Sequence, residues 1–433
     1  MKKRNKKHEK RMKKLIVGCT LCAIVLTVST YAWFIGMKTV NVSSFDVEIA
    51  AIDGLSLSLD GEKWSETVSI NKSNHKLEGT SYTDNKNSWG GAGLIPVSTV
   101  GKINQTSSRL IMYEKGSLTT TPGGYRIMAS MVPNHDADEY KGYVAFDLFV
   151  KNLSGNAYYT EDNELNEEAI YLATDSAVKV ATDGVKNTGI ENSVRVAFAQ
   201  IGRVIATTKD VKTITGISCK PTEGSGVTGI CRDAQIWEPN DTKHVKNAIN
   251  WYNTSCAKRT GENLTLEASY DKNFGTCKPI ENGYPYNTYA ISGVIDYEDN
   301  VDVYDGADYN SYEGSVSPDG AAEGKLYAYN YFTDSDKNLE GVKRPTFITL
   351  APNSITKIRV YVYIEGQDVD NYDFASLGKK ISVNFGFTKE RYFDEDVDYN
   401  DNETATLPDD VIKDKHYKEI TTAGDEIPEV KED

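Results

Sequence analysis

Histidine is scarce here, with five copies in 433 residues, and none sits in a pattern that makes chemistry. His8 lies in a basic run, His416 near the C-terminus, and His75, His135 and His244 stand alone. There is no H-E-x-x-H, no G-x-S-x-G and no phosphate-binding glycine loop, so the motif-borne forms of those chemistries are excluded. A Ser/His/Asp triad assembled from distant positions leaves no such trace, and nothing in the sequence favours one. The chain is therefore not expected to be an enzyme. Helical periodicity is equally thin, and internal repeats and βαβ alternation are absent, which argues against α/β folds. Positive charge is short outside the first residues. Residues 1–32 hold nine Lys/Arg and one acid, a local +8, so a net charge of −15 leaves −23 for the remainder. Such a body repels phosphates, and nucleic acid is not an expected partner. Leu407–Asp410 reads LPDD rather than a sortase LPxTG motif, so attachment through the C-terminus is not expected.

What is present begins with residues 1–14, a basic n-region running from Lys2 to Lys14. No charged residue follows from Leu15 to Ile35. A run of that length spans a bilayer core as a helix, and the preceding cations hold its start on the cytoplasmic side. Residues 15–36 thus read as a signal peptide or an uncleaved anchor, with the body on the extracellular face of the membrane or secreted. Thr30 and Ala32 supply small residues for cleavage between Ala32 and Trp33. Cys19 and Cys22 fall inside this apolar run and read as small hydrophobic residues of it.

The stretch STYAWF (Ser29 to Phe34), followed by KTVNVSSFDVEIAAIDGLSLSL, resembles the start of the TasA and camelysin-like secreted surface proteins of Gram-positive bacteria. Thr30, Ala32 and Phe34 match the family's T-x-A-x-F stretch. The resemblance implies export, an extended strand after the signal, and fibre formation by donating that strand to a neighbour, here Val40 to Ile49. IWEPND, NSVRVAF, YVYIEGQD and KKISVNFGFT together resemble large uncharacterised surface proteins of Firmicutes, which implies location rather than activity.

Between 37 and 388 the pattern is one of half-buried strands. Val144, Phe146, Leu148 and Val150 share a face. Ile358, Val360, Val362 and Ile364 alternate with Lys357, Arg359, Tyr361, Tyr363 and Glu365. Ile381, Val383, Phe385 and Phe387 form a third set, Val194, Val196 and Phe198 a fourth, and Phe45, Val47 and Ile49 precede Leu55, Leu57 and Leu59. Short strands with one apolar face predict an all-β antiparallel β-sandwich, jelly-roll-like, behind the N-terminal hydrophobic helix. One helix is expected from His244 to Trp251, with Thr242 as its cap. Residues 209–286 read as an insertion. The tail 389–433, with 16 acids against six bases, reads as disordered.

That insertion holds Cys219, Cys231, Cys256 and Cys277. Four cysteines outside a cell imply two disulfides, of which Cys219–Cys231 and Cys256–Cys277 close locally, while the spacings do not suit zinc. Asp296, Asp299, Asp302 and Asp305, and Asp394, Asp396 and Asp398, place carboxylates at spacings that suit Ca²⁺ or an ordinary solvated acidic loop. Trp237, Trp251 and the tyrosines from Tyr284 to Tyr331 read either as packing or as an exposed face for sugars or proteins. The reading is a surface structural or adhesive protein that self-associates, with a secreted carbohydrate-binding module or glycan-active enzyme as the alternative.

Overall fold

A computed structural model describes residues 44–51, 54–71, 94–121, 124–132, 142–182, 184–260, 280–286, 288–295, 326–371, 380–390, 398–399 and 405–406. The export segment with Ala32 and Trp33, the acidic stretch from Asp296 to Asp305, Asp394, Asp396 and Cys277 lie outside these residues.

The chain is built mostly of β-strands in mixed sheets, with few helices. The strands that build the two main sheets are β1 (Ser44–Ala51), β2 (Leu55–Ser58), β3 (Thr67–Ile70), β4 (Tyr143–Asn152), β5 (Glu168–Leu172), β6 (Ala177–Val180), β7 (Val194–Ile205), β8 (Gln235–Glu238), β9 (Phe332–Thr333), β10 (Ile348–Leu350), β11 (Ser354–Ile364) and β12 (Lys380–Thr388). The smaller sheet runs β10-β5-β12-β1-β3, with β6 also on β12. The larger runs β9-β8-β7-β11-β4-β2. Helices α1 (Ile190–Ser193), α2 (Val211–Thr215), α3 (Lys246–Thr260) and α4 (Asp334–Lys337) lie between strands. Strand β8 falls within the segment expected as an insertion, and it pairs with β7 from Val196↔Trp237 to Phe198↔Gln235.

The alternating sets fall on strands because only period 2 puts them on one face. Val47, Ile49, Ile381, Val383, Phe385 and Phe387 from the smaller sheet share one buried cluster with Leu57, Val144, Phe146, Val196, Phe198 and Val360 from the larger. Phe198 is its hinge point, meeting Phe347, Phe385 and Phe387 edge-on at 5.0, 5.0 and 5.9 Å.

Two expectations are corrected. The sheets are not wholly antiparallel. β1 runs parallel to β12 from Ser44↔Lys380 to Ala51↔Phe387, and β8 runs parallel to β9. Alternation sets which face a side chain takes and is silent on strand direction. Nor is the second face of β11 solvated: all eleven of its residues are buried. A second apolar layer, including Val97, Met112, Ile214 and Ile217, covers Tyr361, Tyr363 and Ala197 on that face. Charges caught under it are paired. Asp147 accepts from Arg359 at 2.7 Å and lies 3.0 Å from the Lys357 ammonium. Burial works against its ionisation, yet these two cations hold its pKa down at about 2. At the bulge between Gln200 and Gly202 the strand Thr228–Gly229, paired antiparallel with β7 in the larger sheet, comes so close that a Cβ on Gly202 would stand 2.7 Å from the Thr228 carbonyl. Only glycine fits there.

Cys219 and Cys231 face each other at disulfide distance, with Cα atoms 5.3 Å apart, in the layer over β7. The next residue, Arg232, reaches back to Glu167, with bonds of 2.6 Å from both terminal nitrogens. Arg203 of β7 grips the same carboxylate at 2.5 Å.

Candidate functional site

Three of the stretches singled out in the sequence meet at one buried point. Arg195 comes from NSVRVAF, Glu238 from IWEPND, and Glu365 and Asp368 from YVYIEGQD. The Arg195 side chain is fully buried. It binds Glu238, reaches Asp368 at 2.6 Å and Thr288 Oγ1 at 3.0 Å, and donates to the Asn192 carbonyl at 2.9 Å. The Glu365 carboxyl accepts the Tyr331 hydroxyl at 3.1 Å. One guanidinium thus faces three acids in a dry interior, where unpaired charge is costly. Burial, with Asp368 and Asp241 adding, pushes Glu238 up to about 7 against the pull of Arg195. Burial likewise lifts Glu365 to about 8 although Arg195 opposes it.

IWEPND is a joint rather than a surface motif. Trp237 is wholly buried and donates its Nε1–H to Asp334 at 2.9 Å. Of the two readings open for these aromatics, packing or an exposed face, Trp237 and Tyr331 follow packing, since both are buried. Asn240 sits in the left-handed region, φ 60°. Its amide donates to the Val178 carbonyl on edge strand β6 (3.0 Å) and to the Glu191 carbonyl (3.1 Å). Asp241 accepts from Ser335 at 2.6 Å.

The joint leads outward to a cleft. Asp370 donates its N–H to Asp368 at 2.8 Å, and its carboxylate takes His244 Nδ1 and the Val245 N–H, both at 2.9 Å. Helix α3 therefore starts at Lys246, later than the expected His244, with Asp370 from another loop fixing its approach. Burial disfavours charge on His244, but the Asp370 carboxylate outweighs it and raises the imidazole's pKa. Burial is also the main cause that pushes Asp370 up, to about 6. The cleft has a volume of about 860 Å³ and runs between β6, the turn before α1 and the first turn of α3. Lys179, Lys186, Lys243 and Lys246 line it, together with five asparagines, His244 and Glu191.

No metal-holding group of three or more His, Cys, Asp or Glu occurs among the described residues. The Ca²⁺ candidates Asp296, Asp299, Asp302, Asp305, Asp394 and Asp396 lie outside them, and Asp398 is described only as backbone, pairing with Thr406. Cys256 lies on α3 with its side chain outside the description. No helix among the described residues is long and apolar enough to cross a membrane. The cleft itself escaped sequence reading, because its lysines come from a strand (Lys179), two connecting segments (Lys186, Lys243) and a helix start (Lys246). The one usable signal was the group of stretches that meet beneath it.

No family model, no curated protein and no solved structure matches this chain. What fold and site define is thus a β-rich protein with a buried ionic joint under a basic cleft.

Proposed function

We propose that this chain is an exported bacterial cell-surface protein with a structural or adhesive role, its body a β-sandwich that self-associates through an N-terminal donor strand. The observation that carries the reading is the run of basic residues to Lys14 followed by 21 uncharged positions from Leu15 to Ile35, which supports a body on the outer side of the membrane. The apolar cluster shared by both sheets supports the sandwich. The donor strand, Val40 to Ile49, overlaps β1, which lies between β12 and β3 in the chain's own sheet. Its pairing with β12 is parallel and crosses a long stretch of sequence. A neighbour's copy can therefore occupy the same register without remaking a turn, which is strand exchange between identical subunits.

The test uses protein beginning at Trp33. Fibres should form with rising concentration, and a soluble peptide covering residues 40–51, added in excess, should cap them. Monomers at every concentration, or fibres indifferent to the peptide, would remove the donor-strand reading. Export is tested separately by N-terminal sequencing of native protein from membrane and medium. A start at Trp33 in the medium supports cleavage, an intact Met1 in the membrane supports the anchor, and a soluble cytosolic product overturns both.

A further inference from the structure

We infer that the cleft between β6, the turn before α1 and the first turn of α3 is a binding site for an anionic sugar, one bearing carboxylate or phosphate groups. The inference is independent of the fibre reading and does not use the aromatic face, whose Trp237 and Tyr331 are buried.

Charge comes first. Lys179, Lys186 and Lys246 are exposed at the cleft and form no ion pair among the described residues. Lys243 is held by a neutral partner, the Asn240 side-chain oxygen at 2.9 Å. Four ammonium groups thus converge on one cleft of a chain whose net charge is −15. Lysines scattered for solubility would intermix with acids, and here Glu191 is the one acid in the lining. Helix α3 adds the positive end of its dipole, since Lys246 and Asn247 of its first turn line the same space.

The Asn192 side chain also lines the cleft and is 7% exposed. It is held in place because the Asn192 carbonyl accepts from Arg195 and its N–H donates to the Gly189 carbonyl. The buried joint therefore fixes an amide, which both donates and accepts, at the wall of the cleft. Among the described residues, the buried atom without a partner at this wall is Oε2 of Glu191, and burial pushes that carboxyl's pKa up, toward the neutral form.

The ligand class follows from the lining. Ammonium groups attract carboxylate or phosphate, whereas asparagine amides both donate and accept and so match hydroxyls, which do the same. With no aromatic in the lining, stacking on a neutral sugar face is not available, and charge must supply the attraction. A volume of about 860 Å³ lies within the range of roughly 300–1,000 Å³ that small-molecule sites occupy. The acidic body disfavours a long polyanion, since only the cleft attracts it.

The experiment is calorimetric titration of the full folded body with tri-galacturonate, glucose 6-phosphate, inorganic phosphate and maltotriose at low salt. Binding of tri-galacturonate or glucose 6-phosphate, whichever source of charge is preferred, is expected to exceed that of maltotriose at least tenfold. The double variant Lys179→Glu/Lys186→Glu should lose that binding while its melting temperature stays unchanged, because both side chains are exposed. Asn192→Asp should weaken it as well, by placing a carboxylate among the lysines. No binding of either anionic sugar, equal binding of maltotriose, equal binding of inorganic phosphate, or affinity unchanged in the double variant would each overturn the assignment.

Discussion

Arg195 shows how one residue can decide both stability and its pH dependence. Its guanidinium is the shared partner of Glu238 and Asp368 in a closed interior. Removing it as Arg195→Met strands two acids, and unpairing a buried charge of this kind costs about 3–5 kcal/mol. Equilibrium urea unfolding should show that loss, and Arg195→Met/Glu238→Gln should recover part of it. A full additive loss would mean the two side chains are uncoupled. The acids around Arg195 also set a slope. Glu365, Glu238 and Asp370 have folded values of about 8, 7 and 6, above their ordinary values of 4.5, 4.5 and 3.8. The folded state then holds more protons than the unfolded one across that window, so stability falls as pH rises from the ordinary values to the folded ones. His244, raised by Asp370, acts in the same direction, because its stabilisation fades as pH climbs through its folded value. Asp147, Glu167 and Glu168 are lowered and work oppositely, losing stabilisation as pH falls through their folded values. Calorimetry should thus find the highest melting temperature in mildly acidic buffer and a decline on the alkaline side. Glu365→Gln should flatten that decline, and an unchanged slope would remove Glu365 as its source.

Among elements, β12 carries the most. It pairs with β1, β5 and β6, and it places Phe385 and Phe387 against Phe198. Phe385→Ala opens a cavity at that aromatic junction and is expected to cost about 3–5 kcal/mol in chemical unfolding. The covering layer depends on a smaller tie. Cys219→Ser is expected to remove the short-loop crosslink that the distance between Cys219 and Cys231 allows, and such bonds are worth about 2–4 kcal/mol. The loss should show as earlier proteolysis within residues 211–238 under native conditions, and protection equal to wild type would argue that Arg232 and Glu167 hold the layer alone. Non-reducing peptide mapping should return Cys219 with Cys231 and Cys256 with Cys277. Any crossed pairing would replace the local connectivity.

At the scale of the molecule, an acidic body bears a basic cleft, and the two respond to salt differently. Attraction of an anion to the cleft should weaken as ionic strength rises, since the Debye length shrinks from about 30 Å at 0.01 M to about 10 Å at 0.1 M. Self-association of a body with this net charge should instead strengthen as like-charge repulsion is screened. Light scattering and anion titration across a salt series separate the two, and identical salt responses would contradict this division.

The sequence by itself determined the strand content, because alternation along Tyr143–Val150, Ile358–Ile364 and Ile381–Phe387 fits only a pleated chain with one apolar face. It also carried the export reading, since a basic run and an uncharged span are contiguous. Helix α3 was legible in part, its start shifted because Asp370 lies far away in sequence. Tertiary structure alone decided the parallel place of β1, as side-chain period is blind to strand direction. It alone decided that Lys357, Arg359, Tyr361 and Tyr363 are buried, since a polar face reads as solvated until a second layer closes over it. The cleft was equally hidden. Lys179, Lys186, Lys243 and Lys246 become neighbours only when Arg195, Glu238 and Asp368, distant in sequence, are drawn to one point by the cost of leaving buried charge unpaired.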